Sequence, residues 1–165
     1  MQRATAMKYL FKLIVIAFCA NASGQELQPI KNILEAGIRS DDDVQISYVL
    51  KRCVALNLVM GNWMKEKGGE RMKSSVSKFF DEALLLQEFS FELENKIEKA
   101  KKIKVSTRQE LEKALLLNLK IISPMYVERL AKNYAASGSY FEKDKQLTEE
   151  IGICSNFKKQ LESMK

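Results

Sequence analysis

Apolar residues recur at steps of three and four along most of this chain, the spacing that places them on one face of an α-helix. The clearest case follows the acidic run Asp41-Asp42-Asp43, which suits a helix start, and extends to about Lys67, before Gly68-Gly69. The pattern therefore predicts a long amphipathic helix here. Its apolar stripe consists of Ile46, Val49, Leu50, Cys53, Leu56, Met60, Trp63 and Met64.

The same spacing predicts a short helix before this one and a long helix after it. The short helix covers residues 26–38, with Pro29 in its first turn, where the missing N–H costs little. The long helix covers residues 70–103. A break near Ser90 is one reading of that segment, since thirty-odd residues is long for a small domain.

Two more helical segments complete the chain. The first opens at a capping box within Ser106-Thr107-Arg108-Gln109-Glu110 and reaches about residue 136, before Gly138. Ser123-Pro124 should kink or restart it, because proline lacks the backbone donor. The last helix should begin between residues 141 and 144. These segments predict an all-α fold, a single up-down bundle of about four long helices plus a short N-terminal helix.

The first 22 residues have the organisation of a cleavable signal peptide. A basic start without acids precedes the apolar run Leu13–Ala20, and Ala20-Asn21-Ala22 supplies the small residues that a signal peptidase accepts. The apolar run is far shorter than the ~20 residues of a membrane span. Bulky Phe18 before Cys19 disfavours lipidation at that cysteine. The sequence thus predicts a signal peptide over residues 1–22, a bundle domain over residues 23–165, and a periplasmic or extracellular location.

Half of the net charge of +6 comes from this predicted signal segment. Three of the 27 basic residues lie in the predicted signal, which leaves 24 against 21 acidic residues and a net charge of +3. Together with export, this argues against nucleic acid as a partner.

The chain contains no histidine, and this excludes several kinds of active site at once. Ser-His-Asp and Cys-His catalysis, His-ligated haem and His-containing zinc sites all require that side chain. We therefore expect no catalytic residue set, no bound metal and no cofactor.

Two cysteines remain after removal of the signal, and both lie in the middle of apolar helical stripes. In an up-down bundle the first and last long helices are neighbours, so Cys53 and Cys154 should meet and form a disulfide in an oxidising compartment. The alternative is a pair of separate buried thiols. No C-x-x-C motif occurs, so a redox-active pair is not expected.

A basic cluster surrounds the turn between the second and third long helices. It is a candidate surface for an anionic partner, such as acidic lipid headgroups or an anionic cell-wall polymer. The alternative is a solvated helix end whose lysines complement the helix dipole. The cluster consists of Lys96, Lys99, Lys101, Lys102, Lys104 and Arg108.

Two groups of adjacent carboxylates are candidates for acid chemistry, Asp41-Asp42-Asp43 and Glu149-Glu150. The first is interpreted as a helix start and the second as an exposed helix face, so neither predicts the acid pair of a glycosidase. An inward-facing pair of acids in a pocket would favour a carboxylate-based enzyme instead.

The expected function is that of an exported, disulfide-linked helical bundle that binds an unknown protein or envelope component without catalysis. An alternative is a carrier that holds an apolar ligand or lipid between its helices. The residues that would line such a cavity are Trp63, Phe79, Phe80, Phe89, Phe91 and the methionines.

Overall fold

The computed structural model describes residues 27–67, 72–141 and 143–163 of the chain. All regular structure in these ranges is helical, and the predicted all-α bundle is confirmed. The predicted signal peptide, residues 1–22, lies outside the described residues, as does Gly68-Gly69. The helices are α1 (Ile30–Ser40), α2 (Asp43–Lys67), α3 (Lys73–Ala100), α4 (Arg108–Ser137) and α5 (Lys145–Ser163).

The acidic run before α2 acts as a helix start, as predicted. The carboxylate of Asp42 accepts hydrogen bonds from the backbone N–H groups of Val44 at 2.9 Å and Gln45 at 3.4 Å. These donors have no partner inside the helix, so the carboxylate satisfies them. Ser40 does not cap α2, because its hydroxyl donates to the carbonyl of Ala36 in α1.

The ends of α4 also follow the sequence. Thr107 and Glu110 form the capping box, each side chain accepting from the other residue's backbone N–H. Gly138 ends the helix in the left-handed conformation, with φ of 72°. Between these ends α4 continues through Pro124, so no restart occurs there. Pro124 is exposed, and so is Lys120, whose carbonyl loses its usual intrahelical donor at the proline.

The break considered near Ser90 is absent, because α3 is one continuous helix. α3 runs antiparallel to α2, as two contacts show. Ser47, near the start of α2, donates to Glu94, near the end of α3. Gly61, near the end of α2, lies against Phe80, near the start of α3, so closely that an added Cβ would be 3.1 Å from the ring. Ser90 is fully buried, so packing against α2 covers the point where a break was considered.

α2 is the central helix of the bundle and contacts each of the other four. Residues 52–57 of α2 are all buried, which leaves no solvent-facing side in the middle of the helix. A helix surrounded by others loses its polar face. The predicted apolar stripe of α2 is therefore only part of its buried surface. No helix within the described ranges combines the length and apolar character needed to cross a bilayer.

Candidate functional site

Three polar side chains meet at the centre of the bundle, where α2, α4 and α5 come together. Arg52, Tyr126 and Glu150 are 0%, 0% and 1% exposed, respectively. Nη2 of Arg52 lies 3.1 Å from both carboxylate oxygens of Glu150 and 3.0 Å from the hydroxyl of Tyr126. That hydroxyl donates to Oε2 of Glu150 at 2.7 Å. An unpaired buried charge is strongly destabilising, so each group here depends on the others. We call these three residues the Arg52 network.

The Arg52 network also holds the segment that precedes α1. Arg52 donates to the carbonyl of Gln28, and the N–H of Ile30 donates to Oε1 of Glu150 at 3.3 Å. Gln146 donates to the same oxygen at 3.0 Å. The hydrogen-bonding capacity of the buried ion pair is thus used on the protein's own backbone and side chains, and residues more than 95 positions apart are joined.

Burial raises the pKa of Tyr126 above its ordinary value, and the negative charge of Glu150 raises it further. Tyr126 therefore stays protonated and acts as a hydrogen-bond donor to Glu150. The Arg52 network has a structural role, because both carboxylate oxygens of Glu150 already accept hydrogen bonds from the protein.

The interpretation of Glu149-Glu150 as an exposed helix face is wrong for Glu150. Glu149 is exposed and pairs with Lys31 at 3.0 Å, but Glu150 is buried. The signal was present in the sequence, because Glu150 follows Leu147 by three residues and precedes Cys154 by four, on the same helix face. Nothing in the spacing showed that a cation would lie opposite it.

A second inward-facing acid lies on α3. Glu82 is 3% exposed, and Nζ of Lys158 on α5 lies 3.4 Å from its carboxylate. Glu82 and Glu150 are therefore each bound to a basic side chain. An acid–base pair of the glycosidase kind would instead place two carboxylates across a substrate cleft.

Cys53 and Cys154 meet as predicted. Their sulfur atoms are at disulfide-bonding distance, with a Cα–Cα separation of 5.4 Å. Each cysteine is buried and lies near a member of the Arg52 network, Cys53 next to Arg52 and Cys154 one helical turn after Glu150. The covalent link and the ion pair therefore join α2 to α5 at the same level of the bundle.

Another polar cluster joins α4 to the start of α5. Arg129 donates two hydrogen bonds to Asp144, at 2.7 and 2.5 Å, and Asn133 donates a third at 2.7 Å. Partial burial acts to raise the pKa of Asp144, but these bonds and the N–H of Leu147 outweigh it and lower that pKa to about 2. This carboxylate is a structural anchor at the beginning of α5.

The basic cluster is divided by the structure into paired and outward-facing members. Lys96 pairs with Asp43 on α2, and Arg108 pairs with Glu88 and Glu112. The remaining members are exposed at the end of α3 and on the turn that follows it, and Lys104 forms an ion pair with Glu110 at 3.3 Å. These outward-facing residues are Lys99, Lys101, Lys102 and Lys104.

The aromatic residues proposed to line a ligand cavity pack against the protein itself. Phe91 belongs to the core, while Phe79 and Phe89 are partly buried against it. Phe80 covers Gly61, and Trp63 contacts the rings of Tyr140 and Phe141. An open apolar groove of about 300 Å³ lies elsewhere, lined by Leu34, Ile38, Ile46, Ile153, Asn156, Phe157 and Gln160.

Among the described residues, no group of three or more carboxylate or thiol side chains is arranged to hold a metal ion.

α4 carries a second apolar face that points to solvent. Its inner face packs on the core through Leu111, Leu115, Ile122, Tyr126 and Leu130. The outer face has five large apolar residues at least half exposed, which we call the outer α4 face: Leu116 at 59%, Leu117 at 55%, Ile121 at 69%, Val127 at 55% and Tyr134 at 50%. Sequence reasoning did not single out this face, because apolar spacing indicates which residues of a helix can be buried but not which of them remain exposed.

No family model, no curated protein and no solved structure matches this chain. Its function is therefore inferred from its own side chains.

Proposed function

We propose that the protein is an exported up-down helical bundle that acts by binding a protein partner rather than by catalysis, with the outer α4 face as its docking surface. The observation that carries this proposal is the exposure of five large apolar residues on one helix. A helix at the surface of a bundle ordinarily has one apolar face, and clustered exposed apolar residues mark interaction sites.

The dimensions of the outer α4 face suit a helix or an extended groove as its partner. Leu116 and Tyr134 are 18 residues apart, or ~27 Å along a helix, which corresponds to about five turns. Leu117 and Ile121 lie four residues apart and Val127 and Tyr134 lie seven apart, steps at which side chains of one helix can insert between those of an apolar partner helix.

The charges on this face define the partner further. Lys113 and Lys120 lie among its apolar residues, and neither forms an ion pair with the described part of the chain. Glu128, the acidic residue of the same face, is paired with Lys132 at 2.8 Å. The partner surface should therefore be apolar with acidic side chains beside it, since charge complementarity fixes register and rejects other partners.

A photo-crosslinking residue placed at Ile121 tests this proposal. In the native envelope or medium it should give one defined protein adduct, whereas the same residue at Leu84, 59% exposed on α3, should not. The purified adduct partner should bind the wild-type protein, and Leu117→Ser with Ile121→Ser should weaken that binding at least ~10-fold.

The matched control is Leu84→Ser, which removes an equally exposed leucine and should leave the affinity unchanged. Equal binding by the double variant would contradict the proposal. If the adduct contains only a second copy of this chain, the outer α4 face mediates self-association and does not bind a separate partner.

Export is proposed from the sequence, and the contacts of the described residues are compatible with the proposed cleavage. The proposed cleavage after Ala22 lies five residues before Leu27, whose carbonyl accepts from Gln146 at 3.1 Å. Removal of residues 1–22 would therefore leave the segment held by the Arg52 network intact. N-terminal sequencing of the exported protein should find a start at or near Ser23, and soluble protein that retains residues 1–22 would overturn this part of the proposal.

A second candidate function is that of an apolar-ligand carrier, favoured by the open groove between α1, α2 and α5. Its volume of about 300 Å³ suits a single acyl chain or a small apolar molecule. Solvent extraction of the purified native protein followed by mass spectrometry distinguishes this candidate. A stoichiometric lipid lost in Ile153→Gln would support a carrier, and an extract without bound lipid would exclude it.

A further inference from the structure

The turn between α3 and α4 presents aliphatic and basic side chains together. Ile103 is 54% exposed and Val105 is 38% exposed, and the two lie two residues apart on the same turn. Lys101, Lys102 and Lys104 are interleaved with them in sequence, and all three are exposed. We call residues 101–105 the α3–α4 tip.

The α3–α4 tip is held in place by hydrogen bonds. The N–H of Ile103 donates to the carbonyl of Glu98 at 3.1 Å. The side chain of Glu98 then accepts from the N–H of Ser106 at 2.7 Å and from its hydroxyl at 2.6 Å. Lys102 adopts a left-handed conformation with φ of 55°, which turns the chain at the end of α3. The exposed aliphatic residues are therefore presented by a fixed backbone.

Positive charge dominates the α3–α4 tip. Four lysines occur between residues 99 and 104, and no acidic residue occurs between Glu98 and Glu110. Glu98 is bound to Ser106, and Glu110 is shared between the Thr107 cap and Lys104. The neighbouring acids are thus engaged locally, and Lys99 and Lys102 form no ion pair within the described ranges.

We propose that the α3–α4 tip binds the surface of an anionic lipid bilayer. Ile103 and Val105 enter the boundary between headgroups and acyl chains, while Lys99, Lys101, Lys102 and Lys104 contact the headgroup charges. Long lysine side chains can keep their ammonium groups at the headgroup level while nearby apolar groups lie deeper. A soluble polyanion would use the lysines but would gain nothing from the two exposed aliphatic residues, so the combination favours a bilayer.

Co-sedimentation of the purified full exported protein with lipid vesicles tests this proposal. The protein should sediment with vesicles of phosphatidylcholine containing one third phosphatidylglycerol, and it should remain in solution with phosphatidylcholine alone. Binding should weaken as salt is raised, because the headgroup attraction is screened. Failure to sediment with the anionic vesicles, or equal sedimentation with both kinds, would overturn the proposal.

Two sets of variants separate the apolar and electrostatic contributions. Ile103→Ser with Val105→Ser should reduce partition to anionic vesicles by about tenfold without changing the fold, since both side chains are exposed. Lys99→Gln with Lys102→Gln should reduce partition and flatten its salt dependence. If the lysine variant loses binding while the serine variant binds like wild type, attraction to any polyanion is sufficient and the bilayer proposal is wrong.

Matched controls lie far from the tip. Lys65→Gln with Lys67→Gln removes two exposed lysines at the end of α2, at the opposite end of the α2–α3 pair, and Leu84→Ser removes an exposed leucine on α3. Both should partition like wild type. The outer α4 face variant Leu117→Ser with Ile121→Ser should also bind vesicles normally, so failure of the proposed protein interface and failure of the lipid surface are distinguishable.

Discussion

Arg52 and Glu150 form an ion pair at 3.1 Å in which neither side chain is more than 1% exposed, although 98 residues separate them along the chain. A buried ion pair contributes little net stability compared with apolar residues of the same size, because both charges lose their hydration. Removing only one partner is strongly destabilising, since the remaining charge stays buried without a partner. Each partner is therefore needed by the other where α2 joins α5.

Replacing either partner alone should be strongly destabilising. Arg52→Met or Glu150→Leu should each lower the free energy of unfolding by ~3–5 kcal/mol, measured by urea denaturation followed by circular dichroism. The double variant should lose much less than the sum of the two. Additive losses would show that the pair is not energetically coupled.

The exposed pair between Lys31 and Glu149 provides the matched control for this experiment. It is a neighbouring α1–α5 contact at 3.0 Å, but its side chains are 52% and 45% exposed. Lys31→Met should leave the free energy of unfolding nearly unchanged, because solvent screens the interaction.

The Tyr126 hydroxyl should contribute measurably to the same network. Tyr126→Phe keeps the ring and removes the group that accepts from Arg52 and donates to Glu150, so we expect a loss of ~1–3 kcal/mol in urea denaturation. Tyr134→Phe is the control, because Tyr134 is half exposed on the outer α4 face. An equal effect of the two changes would contradict the assigned role of the Tyr126 hydroxyl.

Sequence reasoning was successful where the deciding physics is local. Apolar spacing defined the helices, and the Thr107–Glu110 box and Gly138 set the ends of α4, because caps depend on neighbouring residues. The meeting of Cys53 and Cys154 could also be predicted, since both lie on apolar stripes of helices that a bundle brings together.

The Arg52 network was missed for a non-local reason. Arg52 and Glu150 each lie on the buried face by spacing, but charged residues are ordinarily solvated, and only the packing of α5 near α2 supplies each with its partner. The restart considered at Ser123-Pro124 is absent for a similar reason. Ile122 and Tyr126 on either side of the proline are buried in the core, and this packing outweighs the lost backbone hydrogen bond.

The link between Cys53 and Cys154 should stabilise the fold by restricting the unfolded chain. The residues are 101 positions apart, and the loop-entropy estimate for such a link is about 4–5 kcal/mol. Cys53→Ala with Cys154→Ala should lower the melting temperature, and a reducing agent should lower that of the wild type but not that of the variant. Full thiol labelling of both cysteines in denatured, unreduced protein from the native compartment would contradict the presence of the bond.

The anchor between Arg129 and Asp144 should make stability depend on acid pH. The pKa of Asp144 is lowered to about 2 in the folded protein, against ~3.9 in an unfolded chain, so folding favours its ionised form. Its contribution is complete above pH ~5 and is lost as the pH falls through ~4 towards ~2. Because the site is partly exposed, we expect Asp144→Asn to cost about 1 kcal/mol near neutral pH, after allowance for solvent screening.

Urea denaturation at several pH values measures this effect. The difference between wild type and Asp144→Asn should shrink steadily below pH ~4, because the carboxylate of the unfolded chain is protonated near pH ~4 whereas that of the folded protein is protonated only near pH 2. In an Arg129→Met background the same substitution should cost less at every pH, because the strongest donor to the carboxylate is already absent. A difference that stays constant from neutral to strongly acidic pH would show that the charge of Asp144 contributes nothing, and that the side chain acts only as a neutral cap for α5.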